Sequence, residues 1–245
     1  MHYISSVSND QVKHMVNLQH KSYRQEHGQF VIEGTRACSQ LLKKYKPIKL
    51  YMTEEYYKDH TFADYEDSIV GVSNHVMEKI SSSKNPSGIC AIFAIPEEQP
   101  LPTHGPGIIL VDVNDPGNMG TLIRTAAAMN INQIIIIGGV DPYNPKVIQS
   151  TAGCLATINL YQTTWDKVIA QQLLLCALVV RQGITPDTII LKHNFLVVGN
   201  EAHGLSETIL KDCVQAMTIP MPGHAESLNA AIAGSIGLYL MSLQN

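Results

Sequence analysis

Two kinds of hydrophobic pattern divide the chain near residue 100. Beyond it, the runs IILVDV (108–113), QIIIIG (133–138), LLLCALVV (173–180) and FLVVGN (195–200) are apolar without period-two alternation. Strands of that kind are buried on both faces, and helices between parallel strands are the usual cover. The intervening stretches TLIRTAAAMN, PKVIQSTAG, WDKVIAQQ, SETILKDC and SLNAAIAGSIGLYLMSL read as those helices, with LATINL and AMTIP as further strands. The pattern predicts an α/β domain on a parallel sheet over residues 107–245. Over residues 1–98, QVKHMVNLQHKSY and EGTRACSQLLKKY carry helical spacing (Val12, Met15, Val16; Ala37, Leu41, Leu42) between the short strands FVIEG, IKLYMT, SIVGVS and ICAIFAI. That is a smaller mixed α/β domain. The cluster Pro96, Pro100, Pro102 and Pro106 marks a linker between the two, placed at 99–106.

Composition narrows the class. The 245 residues are 45% hydrophobic and 16% charged, and no apolar run reaches the roughly 18 residues of a membrane span. The first ten residues, MHYISSVSND, have neither a basic region nor an apolar one, so no signal peptide and no membrane partner are expected and the cytoplasm is the expected location. Five cysteines (Cys38, Cys90, Cys154, Cys176, Cys213) never fall as CxxC, which predicts free, packed thiols rather than disulfides or a zinc site. Nor do the ten histidines form HExxH, and His193, His203 and His224 lack the spacing of a metal site. The net charge of −4 hides a gradient: residues 10–50 hold eight Lys and Arg against three acids. Such a segment suits phosphate contacts, and equally a solvated helical face.

The stretch NDPGNMGTLIRT (114–125) joins a buried strand to a helix, the usual place for an anion. It has no GxxxxGK(S/T), and only Gly117 and Gly120 where a dinucleotide fingerprint needs GxGxxG, which disfavours a nucleotide-triphosphate loop and a dehydrogenase. With Asn118 as the N-cap, Leu122, Ile123, Ala126, Ala127 and Met129 share one arc of the helix, and Thr121, Arg124, Thr125 and Ala128 the other. Asn118, the free N–H groups of the first turn and Arg124 then form a donor cluster suited to a phosphate, with a surface arginine on an ordinary helix as the alternative. Two further stretches sit at strand ends: FLVVGNEAHGLSE (195–207), and IPMPGHAESLNAAIAG (219–234) with its polar Glu226, Ser227 and Asn229. In parallel sheets ligands gather outside the carboxyl ends of strands, so the three motifs are expected to converge.

Together they resemble the SpoU/TrmH branch of the SPOUT methyltransferases. Asn118-x-Gly120-x-x-x-Arg124-Thr125-Ala126 is similar to the first family motif, Val198-Gly199-x-Glu201-x-x-Gly204-Leu205 to the second, and Ile219-Pro220-Met221 through Ser227-Leu228-Asn229 to the third. STAGC (150–154) is similar to the small-residue segment between the first two. The front domain resembles a ribosomal-protein-like RNA substrate-binding domain through GQFVIEGTRA (28–37) and, more loosely, KNPSGICAIF (84–93), where Ser87 stands in place of a frequent Gln.

The resemblance implies a deep C-terminal trefoil knot in the sheet domain and methylation of a ribose 2′-hydroxyl in RNA, rRNA favoured over tRNA, using S-adenosyl-L-methionine. It implies a cofactor site at Gly199, Ile219, Met221 and Leu228, with glycine at 199 read as allowing close backbone approach to the ligand. Arg124, with the neighbouring substrate phosphate, is implied as the group that activates the hydroxyl. A guanidinium is always protonated, which favours its holding the neighbouring phosphate and the developing oxyanion, with Glu201 as an alternative proton acceptor. Asn118, Ser227 and Asn229 would orient the ribose or hold loops, Ser227 being equally an N-cap for the last helix. That helix spaces Leu228, Ile232, Ile236 and Leu240 with small residues between, and in the family it forms a homodimer; packing within one subunit is the alternative. A catalytically silent RNA-binding factor on the same fold is the competing function.

Overall fold

The computed structural model describes residues 2–59, 63–83 and 85–244. Lys84 of KNPSGICAIF, and Met1 and Asn245 at the limits of the two expected domains, lie outside the described residues. The chain divides into two units, Met1–Glu97 with Tyr143–Ala156, and Glu98–Pro142 with Thr157–Asn245.

The first unit runs β1 (His2–Ile4), α1 (Asp10–Asn17), α2 (Lys21–His27), β2 (Gln29–Glu33), α3 (Thr35–Leu42), β3 (Lys49–Thr53), α4 (Glu54–Asp59), β4 (Ile69–Val72), α5 (Asn74–Ile80) and β5 (Ile89–Ala94). Its sheet is mixed, in the order β1-β4-β3-β5-β2, with β5 antiparallel to both of its neighbours. Asn9 starts α1 by accepting from Gln11 N, and Ser73 starts α5 by accepting from Val76 N. These caps aim Val12 and Met15 of α1, and Val76, Met77 and Ile80 of α5, into one core with Tyr51, Val70, Val72 and Ile92. Of the eight cations counted over 10–50, Arg24 is buried (1% exposed), its Nη1 donating to the carbonyls of Leu18 (2.9 Å) and Gln19 (2.8 Å) at the end of α1. It supports the fold and is withdrawn from any phosphate-binding face.

The second unit begins with β6 (Gly107–Val111), α6 (Pro116–Ala128) and β7 (Gln133–Ile137). The chain then forms α7 (Pro145–Thr151), which groups with the first unit and lies along β2, the Tyr143 ring 4.9 Å from that of Phe30. Tyr143, Val147 and Ile148 bury their apolar surface there, so residues 143–156, including STAGC, depart from the continuous 107–245 domain that the pattern suggests. The second unit resumes with β8 (Asn159–Gln162), α8 (Trp165–Ile169), β9 (Leu175–Leu178), β10 (Phe195–Val198), α9 (Glu207–Asp212), β11 (Gln215–Met217) and α10 (Ala230–Ser242). Its sheet has the order β11-β9-β10-β6-β7-β8, every pairing parallel. Every residue of β6 and β10 is buried, as their unbroken apolar runs require.

Strand order grows from β6 outward to β8 on one side, then restarts on the other with β10 against β6. That reversal is a topological switch point, where the loops leaving two adjacent strands part and open a crevice. The loops after β6 and β10 are the first and second sequence motifs.

Two local expectations change. The cap of α6 is Asp115, whose carboxylate accepts from Asn118 N at 2.8 Å, with Pro116 at the first helical position; Asn118 lies one turn in. In α10 the buried positions are Ala231, Gly234, Gly237, Leu238 and Met241, and the glycines mark its closest approach: a Cβ on Gly234 would meet Leu122 at 2.4 Å, and one on Gly237 would meet Leu196 at 2.6 Å. Small residues thus seat the helix on its own subunit, while Ile232 (54% exposed), Tyr239 and Leu243 face outward and Leu228 precedes the helix. Cys38, Cys90 and Cys176 are free and buried, and burial pushes the Cys38 and Cys176 thiols up to about 12; Cys154 and Cys213 are only half-buried.

Replacing Arg24 by Met strips one buried and one half-buried carbonyl of their charged donor and should cost about 1–3 kcal/mol. Urea unfolding at neutral pH measures this, and an unchanged midpoint would contradict the structural role.

Candidate active site

Three backbone segments meet at the switch point. The first leaves β6: Asp112 adopts φ 50°, and Asp115 then turns the chain into α6. The second leaves β10 as a tight loop closed by paired hydrogen bonds between Asn200 and Gly204 (Asn200 N to Gly204 O, 3.2 Å; Gly204 N to Asn200 O, 2.9 Å). Asn200 holds this loop from inside, its Oδ1 accepting from Ala202 N (2.9 Å) and His203 N (3.1 Å), and its Nδ2 donating to Asp112 O (2.9 Å). Gly204 has φ +64°, the left-handed conformation that closes the turn and that glycine adopts freely. A Cβ on Gly199 would come within 2.5 Å of the Gly204 backbone, so glycine at 199 is required by the close approach of the loop to itself.

Glu201 joins this loop to the others. Its Oε2 accepts from Asn114 N (3.2 Å), and its Oε1 from Asp115 N (3.1 Å) and Asn118 Nδ2 (3.0 Å). Asn118 Oδ1 in turn accepts from Asn229 Nδ2 (3.0 Å), and Asn229 Oδ1 accepts from Ala231 N (2.8 Å) and Ile232 N (3.2 Å), which makes Asn229 the N-cap of α10. The chain Glu201–Asn118–Asn229 therefore bonds all three motifs. Partial burial pushes the Glu201 carboxyl up, but the donors from Asn118, its own backbone, Asp115 and Asn114 outweigh that and hold it below the ordinary carboxylate value of 4.5. A carboxylate stabilised in this way is a poor proton acceptor, which tells against the alternative role expected for it. Ser227 does not cap α10, a task that belongs to Asn229.

Beside this network lies a cavity of about 290 Å³. It is lined by Val198 and Gly199 at the end of β10, by the 200–204 loop, by Leu178–Val180 at the end of β9, and by Ile219, Met221, Ser227 and Leu228 with the first turn of α10. All four residues expected at the cofactor line it, together with Glu201 and Ser227. The volume is at the small end of ligand clefts, and the apolar side chains interrupted by exposed loop backbone suit a purine nucleoside with a charged amino-acid tail. Asn118 and Asn229 stand behind the lining as supports. Arg124 does not line the cavity: it is exposed, about 9 Å further along α6 than Asn118 and about 120° around it. Among the described residues nothing pairs with its guanidinium, so it is available to an external anion. Asn200, between Gly199 and Glu201, is a functional position that the sequence does not reveal, because a half-buried hydrogen-bonding asparagine carries no spacing signature.

Residues 106–239 match the family model described as the SpoU rRNA Methylase family, and residues 9–91 that of the MRM3-like substrate binding domain. The chain is 30% identical over 249 residues to the 23S rRNA (guanosine(2553)-2'-O)-methyltransferase RlmP of Bacillus subtilis (strain 168), spanning 98% of each protein. It is 32% identical to the uncharacterized tRNA/rRNA methyltransferase slr1673 of Synechocystis, spanning 96% of this chain and 92% of that protein. An AdoMet-bound rRNA methyltransferase from Sinorhizobium meliloti has a similar structure, with a TM-score of 0.87, 27% identity, and coverage of 98% of this chain and 96% of that one.

Substituting Gln for Glu201 tests the electrostatics of the network. A carboxyl with a lowered folded pKa contributes stability that is complete above its unfolded value and lost as pH falls through its folded one. Stability of the wild type should therefore fall with acid below about pH 4.5, while Glu201→Gln should lose that part of the pH dependence and be less stable at neutral pH. Chemical denaturation from pH 3 to 7 measures both, and superimposable pH profiles would contradict the assignment.

Proposed function

The chain belongs to the SpoU rRNA methylase family and is an S-adenosylmethionine-dependent RNA 2′-O-ribose methyltransferase with an N-terminal substrate-binding domain; within that class we propose a nucleotide of ribosomal RNA as its substrate. The likeness to RlmP over nearly the full length of both proteins supports rRNA over tRNA. The observation that carries the catalytic assignment is the gathering of all three motifs, through Glu201, Asn118 and Asn229, beside one cavity.

Bound S-adenosylmethionine supplies an electrophilic methyl group on its sulfonium. The protein's part is to hold that group and the ribose in line, and to receive the charge that develops on the 2′-oxygen. Gly199, Ile219, Met221 and Leu228 form the cofactor cavity, and the Glu201–Asn118–Asn229 chain fixes its walls. Ser227 offers a hydroxyl at the rim. Arg124 grips the phosphate next to the target ribose and stabilises the developing oxyanion; it is always protonated, so it acts by charge and not as a base. Since a duplex hides its bases and shows mainly backbone, the target nucleotide is an unpaired one, gripped by the first unit through the exposed cations of residues 10–50.

Two further features complete the proposal. The trefoil knot is supported by the path of the chain, which leaves β11 at one edge of the sheet, passes the exit of β10 and ends in α10 on α6 and β10. A homodimer through α10 is supported by its outward Ile232, Tyr239 and Leu243, a set of large apolar side chains that a partner would cover. The cytoplasm stands as the expected location on the sequence alone.

Ribose methylation mapped across the RNA of cells lacking the protein should reveal the loss of a 2′-O-methyl group in rRNA, restored by the wild type and not by Arg124→Ala. In single-turnover assays Arg124→Ala should be roughly 10²–10⁴-fold slower with little change in cofactor affinity. A map unchanged in rRNA would refute the substrate, and near-wild-type turnover would refute the role of Arg124.

A further inference from the structure

The first unit holds a cavity of its own, of about 160 Å³, that the methyl transfer does not use. Its walls come from four places in the sequence: the end of α1, the end of β2, the loop after α5 and the start of α7. Residues 143–156, which group with the first unit, supply the last of these, so the cavity is complete only in the full chain. We propose that it takes one unpaired base of the substrate RNA, other than the base of the methylated nucleotide, and so contributes to the choice of substrate.

The lining has the two halves that a base requires. Val31, Ile80, Pro145 and Ile148 give apolar surface, against which the faces of a planar ring can lie. Gln19, Asn85 and Gln149 add three carboxamides, and among the described residues none of these side chains has a hydrogen-bond partner. A carboxamide offers a donor and an acceptor side by side, which is what the edge of a nucleobase pairs with. An unpaired base shows those edges, whereas a duplex hides them.

The polar side of the cavity is built in advance. Glu33, at the end of β2, accepts from Ser81 Oγ through one carboxylate oxygen, and from Ser82 N (2.9 Å) and Ser82 Oγ (3.0 Å) through the other. Ser81 Oγ in turn accepts from Ser83 N at 2.9 Å, and Ser83 Oγ from Asn85 N at 3.3 Å. The carboxylate is thus engaged on the loop, and no described side chain in the lining is a cation, so the cavity favours a neutral ring over a phosphate. Beside the lining in sequence are two cations: Arg36 in the first turn of α3, and Lys146 next to Pro145 in α7. Both are exposed and in no ion pair among the described residues, which suits them to the phosphates flanking a held base. The role deepens the proposed function and rests on it, and the two fail differently.

The test follows transfer of labelled methyl groups from adenosylmethionine to total RNA from cells lacking the protein, over a range of RNA concentrations. It compares the wild type with Asn85→Ala, Gln149→Ala and the pair. Both side chains are exposed, so urea midpoints should be unchanged and adenosylmethionine affinities within about two-fold of wild type. Each single change should raise KM for RNA roughly 10-fold, the range for lost hydrogen bonds to one base, with kcat within about two-fold. Ultraviolet cross-linking of the wild type to the same RNA, followed by mass spectrometry, should place a nucleotide on a peptide from the loop after α5 or from α7, and the paired changes should remove that adduct. An unchanged KM, a loss confined to kcat, or adducts absent from both segments would each overturn the base pocket. A wild type that transfers no methyl group to this RNA would overturn the parent function, and the pocket with it.

Discussion

A single carboxylate holds the candidate site together. Glu201 sits on the loop that leaves β10, yet all but its own backbone donor come from the segment that leaves β6: Asn114 N, Asp115 N and Asn118 Nδ2. Through Asn118 the same network reaches Asn229 and so the start of α10. Residues about 85 and 110 positions apart in sequence are thereby fixed by neutral and charge-assisted hydrogen bonds of 3.0–3.2 Å. The cavity walls are loops, which have little packing of their own to hold them. The carboxylate adds to the sheet pairing and helix packing a direct tie between the loop after Gly199 and the start of α10, next to Leu228.

The sheet makes that network possible. With β10 placed against β6 rather than beyond β8, the loops after the two strands leave the same rim side by side. Burial on both faces fixes the register, Leu196 opposite Ile108 and Val198 opposite Leu110, so the loops begin at matched heights. Gly234 and Gly237 let α10 settle on Leu122 and Leu196, which brings Asn229 within reach of Asn118. Packing, register and hydrogen bonding thus converge on one function: a pocket for a methyl donor beside a surface that carries a free guanidinium.

Much of this was legible in the chain. Runs such as IIII and FLVV announce buried parallel strands because nothing polar in them could face water, and the three motifs sit at strand exits because turn residues follow those runs. What escaped depends on contacts remote in sequence. Asn118 looks like a cap, but Asp115 three residues earlier, followed by Pro116, takes that position. Gly199 lines the cavity as expected, and the backbone of Gly204 adds a constraint that the motif does not reveal. The apolar spacing of α10 suggests a core stripe, whereas the glycines face inward and Ile232 and Tyr239 outward, since close approach selects for small side chains. Residues 143–156 follow β7 in sequence yet group with the first unit, because Tyr143 and Ile148 find their apolar partners there.

The central claim is that the Glu201–Asn118 bond holds the cofactor cavity without touching the cofactor through Asn118. A double-mutant cycle on adenosylmethionine affinity, using Glu201→Ala, Asn118→Ala and the pair, measures it by calorimetry. Each single change should weaken binding roughly 10-fold, and the pair should lose clearly less than the product of the two, because the Glu201–Asn118 bond is lost in both. Additive losses, or affinities unchanged from the wild type, would contradict the account.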